Sequence, residues 1–223
     1  MTTFSCFVAT EMAAIICFGD SLTAGFQSPT AECPAGQETP YGLFLQERLG
    51  PGVDVRISGI CGELTSEMTM RFRHDVLQHR PGHVVVLGGT NDLGWNARPE
   101  DVIKNLIKMY ELARAAEIVP VPVTLPSIRV DLVGAGPDAE AWLAQHLDRR
   151  RVLNALIGDY AASKHLVCVD LFTATAEPES GQLAAPYSND GLHLTTAGYR
   201  LLASLLYEQV FARAAAGNAD QTR

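Results

Sequence analysis

"AAIICFGDSLTAG", residues 13–25, runs from an apolar segment straight into glycine, aspartate and serine. Ala13 to Cys17 reads as a strand buried on both faces, because it is apolar throughout and does not alternate. Gly19, Asp20 and Ser21 disfavour a continuing strand and are ordinary turn residues. A turn alone would explain them. The other reading is that the strand holds Ser21 out at its carboxyl end, where a nucleophile would stand. The rest of the chain decides between the two.

Four further runs resemble the first: "VDVRIS" (53–58), "HVVVLG" (83–88), "IVPVPVT" (118–124) and "HLVCVDLF" (165–172). Pro120 and Pro122 weaken the fourth, since proline cannot donate to a sheet ladder. Between the runs lie helical patterns over 40–49, 63–79, 99–116, 138–163 and 195–213. In 99–116, Val102, Ile103, Leu106, Ile107, Tyr110 and Ala113 form one stripe. Pro99 suits a first helical turn, and Glu100 and Asp101 face the helix dipole favourably. Strands alternating with helices predict right-handed crossovers and a three-layer α/β/α sandwich, with a flavodoxin-like five-stranded parallel sheet. No repeat or linker divides the chain, so 1–223 reads as one domain with a frayed tail from 214. Met12 directly precedes the first strand and is a candidate true start. Two insertions, 26–40 and 125–140, follow the first and fourth strands. In such folds ligands bind outside the carboxyl ends of the strands, and both insertions would wall that crevice.

Composition narrows the function. The 223 residues are 47% hydrophobic with a formal net charge of −8. An acidic chain is not drawn to nucleic acid or anionic membranes. The one basic cluster, Arg149–Arg151, reads as a solvated helix face. The five cysteines show no C-x-x-C pairing. That speaks against zinc and thioredoxin-like sites and suggests reduced thiols and a cytoplasmic location. No Lys or Arg precedes Arg48, so a secretory leader is not expected, and no apolar stretch is long enough to insert stably in a membrane. The histidines apart from His193 have no ligand spacing, and neither a metal nor a cofactor is expected.

Four local signals fall at or beyond the carboxyl ends of strands: "GDSLT", "SGICGELTSEM", "GGTNDLGW" and "NDGLHLT". Each alone is turn punctuation. Together they supply a serine, small backbone donors, an amide, a carboxylate and an imidazole, which is the set acyl transfer requires. Ser21 needs a base, and His193 is available. Asp190, three residues earlier, can reach the ring Nδ1 through a tight turn and fix its tautomer. Asp20 and Asp92 read as loop braces.

With these blocks in order from Ile15 to about Ala203, the chain resembles the SGNH (GDSL-type) hydrolases. The resemblance implies Ser21 as nucleophile, with Asp190 and His193 completing a triad. It also implies an oxyanion hole from the Ser21 and Gly62 backbone N–H groups and the Asn91 amide, with Gly59 as the alternative to Gly62. It implies an ester hydrolase acting through an acyl-Ser21 intermediate on small or lysophospholipid-like esters. A carbohydrate O-deacetylase and a non-catalytic acyl- or sugar-binding member are the alternatives. Trp95, Phe26, Ile128 and Leu125 are candidates to line the acyl pocket. A small-molecule ester is the expected partner.

Overall fold

In the computed structural model, strand β1 (Ile15–Gly19) is central to the sheet and buried along its whole length. The structure describes residues 14–131, 136 and 138–212; segment 1–12, the tail from 214 and part of the second insertion lie outside them. A two-residue antiparallel ladder, β2 (Phe26–Gln27) with β3 (Gln37–Glu38), forms within the first insertion. The main sheet continues with β4 (Val55–Gly59), β5 (His83–Leu87) and β6 (Val119–Pro122), in the parallel order β4-β1-β5-β6. Gly19 stands opposite Gly59 on one side and Leu87 on the other, so three strands end level at one edge.

Among the described residues the main sheet therefore has four strands, not five, and the prolines account for the difference. On β6 the Val119 and Val123 N–H groups donate inward, to Gly82 O and Val86 O. Pro120 and Pro122 fall at the alternate positions, whose N–H would point outward. They leave the inner ladder intact but offer a fifth strand no donors. The run at 165–172 is held by a single bridge, Val123 with Val169. Val169 N–H donates to Pro122 O and Thr124 N–H to Val169 O. Asp170 then caps a short helix by accepting from the Thr173 N–H, and the strand ends.

Pleating divides β1 between two cores. Ile15 and Cys17 pack with helices α2 (Tyr41–Leu49) and α8 (Thr196–Leu206), while Ile16 and Phe18 pack with α3 (Thr65–Asp75), α5 (Pro99–Ala115) and α6 (Ala139–Ser163). These are the three expected layers. On α5 the buried stripe is Val102, Ile103, Leu106, Met109, Tyr110 and Ala113. Each large apolar side chain of this kind contributes roughly 1.5–3 kcal/mol on burial. Helix α8 begins at Thr195, whose hydroxyl accepts from the Gly198 N–H.

Candidate active site

Ser21 opens a one-turn helix, α1 (Ser21–Ala24), at the carboxyl end of β1. Asp20 caps it, its Oδ1 accepting from the Leu22 N–H at 2.9 Å, and Gly25 closes it in the left-handed region at φ 81°. The strand ends where it does because this cap and this glycine force a turn around Ser21.

His193 arrives from the far end of the chain. Its Nε2 lies 3.2 Å from Ser21 Oγ, and its Nδ1 lies 2.7 Å from Asp190 Oδ2. A carboxylate only accepts, so Nδ1 carries the proton. In the neutral ring Nε2 then presents its lone pair to the serine hydroxyl. The three-residue spacing works because Asp190 bonds its own turn: Oδ1 accepts the N–H groups of Leu192 and His193, both at 2.8 Å, leaving Oδ2 for the ring. Gly191 permits that turn at φ 81°, and a Cβ there would meet Arg129 O at 2.1 Å.

The surroundings keep the carboxylate charged. Burial alone would raise the Asp190 pKa. Hydrogen bonds from His193, from Ser28 in the first insertion and from two backbone N–H groups outweigh it and hold the carboxyl well below the usual range. Asp20 behaves oppositely: burial pushes its pKa up to about 7, although the Leu22 N–H pulls the other way. Among the described residues its Oδ2 has no hydrogen-bond partner.

Ser21, His193, Phe26, Gly62 and Asn91 all line one cavity of about 270 Å³. Gly62 has φ 80° and open space where a side chain would be. Gly59 faces elsewhere, since a Cβ on it would lie 2.3 Å from Ala24 N and 2.8 Å from Asp20 O. It lets α1 sit tight against β4. Asn91, in α4 (Thr90–Gly94), donates from Nδ2 to Glu63 O at 2.9 Å, and its second amide N–H is not taken up by any of the described residues. Asp92 braces the same loop, accepting from Thr65 N–H and Thr65 Oγ1.

The pocket candidates separate. The Phe26 ring meets His193 edge-on with centroids 4.7 Å apart. Trp95 and Ile128 line a second, larger cavity of about 500 Å³ that also touches Asn91 and Asp190. Leu125 lies in neither. It is fully buried in the core against α5 and α6, because its backbone is tied to Asn154 on α6.

Two arginines carry more than the sequence suggests. Consecutive helical residues point about 100° apart, so the run Arg149–Arg151 cannot all face water. Arg150 is only 3% exposed and donates from Nη1 to Thr90 Oγ1 and Pro126 O. Arg71 on α3 binds Glu63 and Asp75, donates to Gly19 O, and lies over the Phe18 ring at 4.1 Å. It fastens the end of β1 to the loop holding Gly62. Ser28 likewise has no local pattern in the sequence that marks it as a partner of Asp190. Among the described residues no group of three His, Cys, Asp or Glu is placed to hold a metal, and no helix is long and apolar enough to cross a membrane.

The family model of the GDSL-like lipases and acylhydrolases matches residues 17–201. Solved structures of similar shape include a GDSL-like lipase from Bacteroides thetaiotaomicron, with TM-score 0.69 and 23% identity over 91% of this chain and 89% of that one. A carbohydrate acetylesterase from Sinorhizobium meliloti matches with TM-score 0.71 and 18% identity, covering 90% and 99% of the two chains. An aryl esterase from M. smegmatis matches with TM-score 0.70 and 19% identity, again over 90% and 99%. At these identities the likeness is one of fold. In sequence, the uncharacterized lipoprotein YqeF of Bacillus subtilis is 28% identical over 116 residues, 49% of this chain. The match spans about half, 47%, of that relative's length.

Proposed function

The chain belongs to the GDSL-like lipase/acylhydrolase family, and from that premise we propose that it is a serine ester hydrolase working through an acyl-Ser21 intermediate. The observation that carries this reading is the unbroken chain from Ser21 Oγ through His193 to Asp190. Serine is too weak an acid to ionise alone, so a base must take its proton as it attacks. Ser21 Oγ attacks the ester carbonyl carbon while His193 Nε2 accepts the hydroxyl proton. The carbonyl π pair moves to oxygen, giving a tetrahedral oxyanion. Asp190 stabilises the imidazolium and holds its tautomer. The oxyanion accepts hydrogen bonds from the Ser21 and Gly62 N–H groups and the spare Asn91 amide N–H, all at the rim of the Ser21 cavity. The carbonyl re-forms, the alcohol leaves with the proton from His193, and the acyl group stays on Ser21. Water, deprotonated by the same nitrogen, then releases the acid.

An intact nucleophile, base and orienter weigh against a binding-only protein. Treatment with a fluorophosphonate, followed by peptide mapping, tests the assignment. The account expects one adduct, on Ser21, absent in His193→Ala on the same timescale. A folded protein that stays unlabelled overturns it. Four free thiols among the described cysteines fit a reducing compartment, and fractionation of the native host tests a cytoplasmic location.

A further inference from the structure

The larger cavity beside the triad has a wall built from α6. Trp142, His146 and Arg150 stand four residues apart, so they share one helix stripe, and all three line the cavity. The outer two stack, with ring centroids 3.7 Å apart, and His146 Nδ1 donates to Trp142 O at 3.0 Å. Arg150 is the innermost. Only Nη1 is used, on Thr90 and Pro126. Nε is sealed from water without a partner, and Nη2 makes no hydrogen bond to the described residues. No carboxylate among them lies in ion-pair contact with this side chain; the carboxyl that acts on it is that of the buried Asp20, from beyond ion-pair distance. The other charged groups at the cavity are already engaged: Arg129 with Glu177, and Asp190 with His193, Ser28 and its own turn. Burial lowers the Arg150 pKa to about 10, which leaves it a cation near neutrality.

A buried, unpaired cation is costly unless something pairs with it. Nη2 is the nitrogen left to the cavity, and a guanidinium N–H there makes a charge-assisted hydrogen bond to a carboxylate or phosphate oxygen. Ile128, Val130 and Leu192 give the same cavity an apolar lining, and Asp190 and Asn91 at its wall set it beside the triad. We propose that this cavity is a specificity pocket, and that the preferred substrate is an ester carrying an anionic group at the far end of a short apolar stem, received by Arg150. The proposal rests on the esterase reading above.

The test compares kcat/KM within two pairs differing only in charge. On the acyl side, mono-p-nitrophenyl glutarate is set against its methyl ester. On the alcohol side, 1-acylglycerol 3-phosphate is set against 1-acylglycerol. The expected result is a preference of about tenfold or more for the anionic member of one pair, the size of a hydrogen bond to a charged group. Which pair shows it identifies the anion as carboxylate or phosphate. Arg150→Gln should bring that ratio to about one, and Arg150→Lys should retain part of it. Equal or lower rates for the anionic members of both pairs, with the neutral esters hydrolysed, overturn the pocket and leave the esterase standing. So does an unchanged ratio in folded Arg150→Gln. If that variant does not fold, the wild-type ratios decide alone. If no ester is turned over and Ser21 resists the fluorophosphonate, both readings fall together.

Discussion

Asn91 carries the sharpest residue-scale prediction. The ground-state carbonyl bears little charge and the tetrahedral intermediate bears a full one, so a donor aimed at the latter raises kcat rather than lowering KM. Asn91→Ala should lose on the order of 10²–10³ in kcat, with KM within a few fold. Losing the bond to Glu63 O should cost only about 1 kcal/mol of stability. An undiminished kcat with a clearly lower Tm would make the residue a loop brace only. The two aspartates flanking the site should respond to pH in opposite senses. Asp190 has its folded pKa depressed, so its contribution is complete above the unfolded value and vanishes as pH falls through the folded one. The Tm loss in Asp190→Asn should therefore be full near neutrality and shrink below about pH 4. Asp20 has its folded pKa raised, so the native state holds a proton the unfolded chain has released, and ionising it costs stability as pH climbs toward 7. Asp20→Asn keeps the cap oxygen for Leu22. Its Tm relative to wild type should rise from pH 5 to pH 8, and a flat difference would refute the burial argument.

At the scale of elements, the site depends on how β1 and its neighbours end. Gly19 O, Ser58, Glu63 and Asp75 all converge on Arg71, so one side chain ties β1, β4 and α3 together. Arg71→Met keeps much of the stem but leaves Glu63 buried without its partner. Removing one member of such a network costs about 3–5 kcal/mol. Chemical denaturation should show a loss of that size, together with weaker fluorophosphonate labelling; a loss below about 1 kcal/mol would mean the network is peripheral. Elements were legible from sequence where one physical signal dominated. The α5 stripe, the valine-rich β5 and the Asp-x-x-His turn needed no tertiary knowledge. The run at 165–172 reads as a full strand because its composition favours one, whereas its pairing depends on donors that Pro120 and Pro122 lack. Arg150 is hidden in the sequence for a similar reason: three arginines in a row look solvated until the helix phase is known. Ser28 reaches Asp190 across 162 residues, and no local pattern encodes such a contact.

For the molecule as a whole, parallel pairing brings the ends of β1, β4 and β5 level, and the four signals seen apart in sequence meet at that edge. The order of blocks made the family readable; which cavity each insertion walls required the folded chain. The serine machinery described needs no metal, so dialysis against EDTA should leave ester hydrolysis unchanged, and a loss restored by a divalent ion would point to a different chemistry. On the proposed mechanism, acyl groups pass through Ser21. Acid-quenching the protein during turnover of a p-nitrophenyl ester, weighing it intact and mapping the modified peptide tests this directly. One acyl increment is expected, replacing the hydrogen of Ser21 Oγ and lost on standing in buffer. Turnover with an increment on any other residue would contradict it, as would a Ser21→Ala variant that hydrolyses the ester at the wild-type rate.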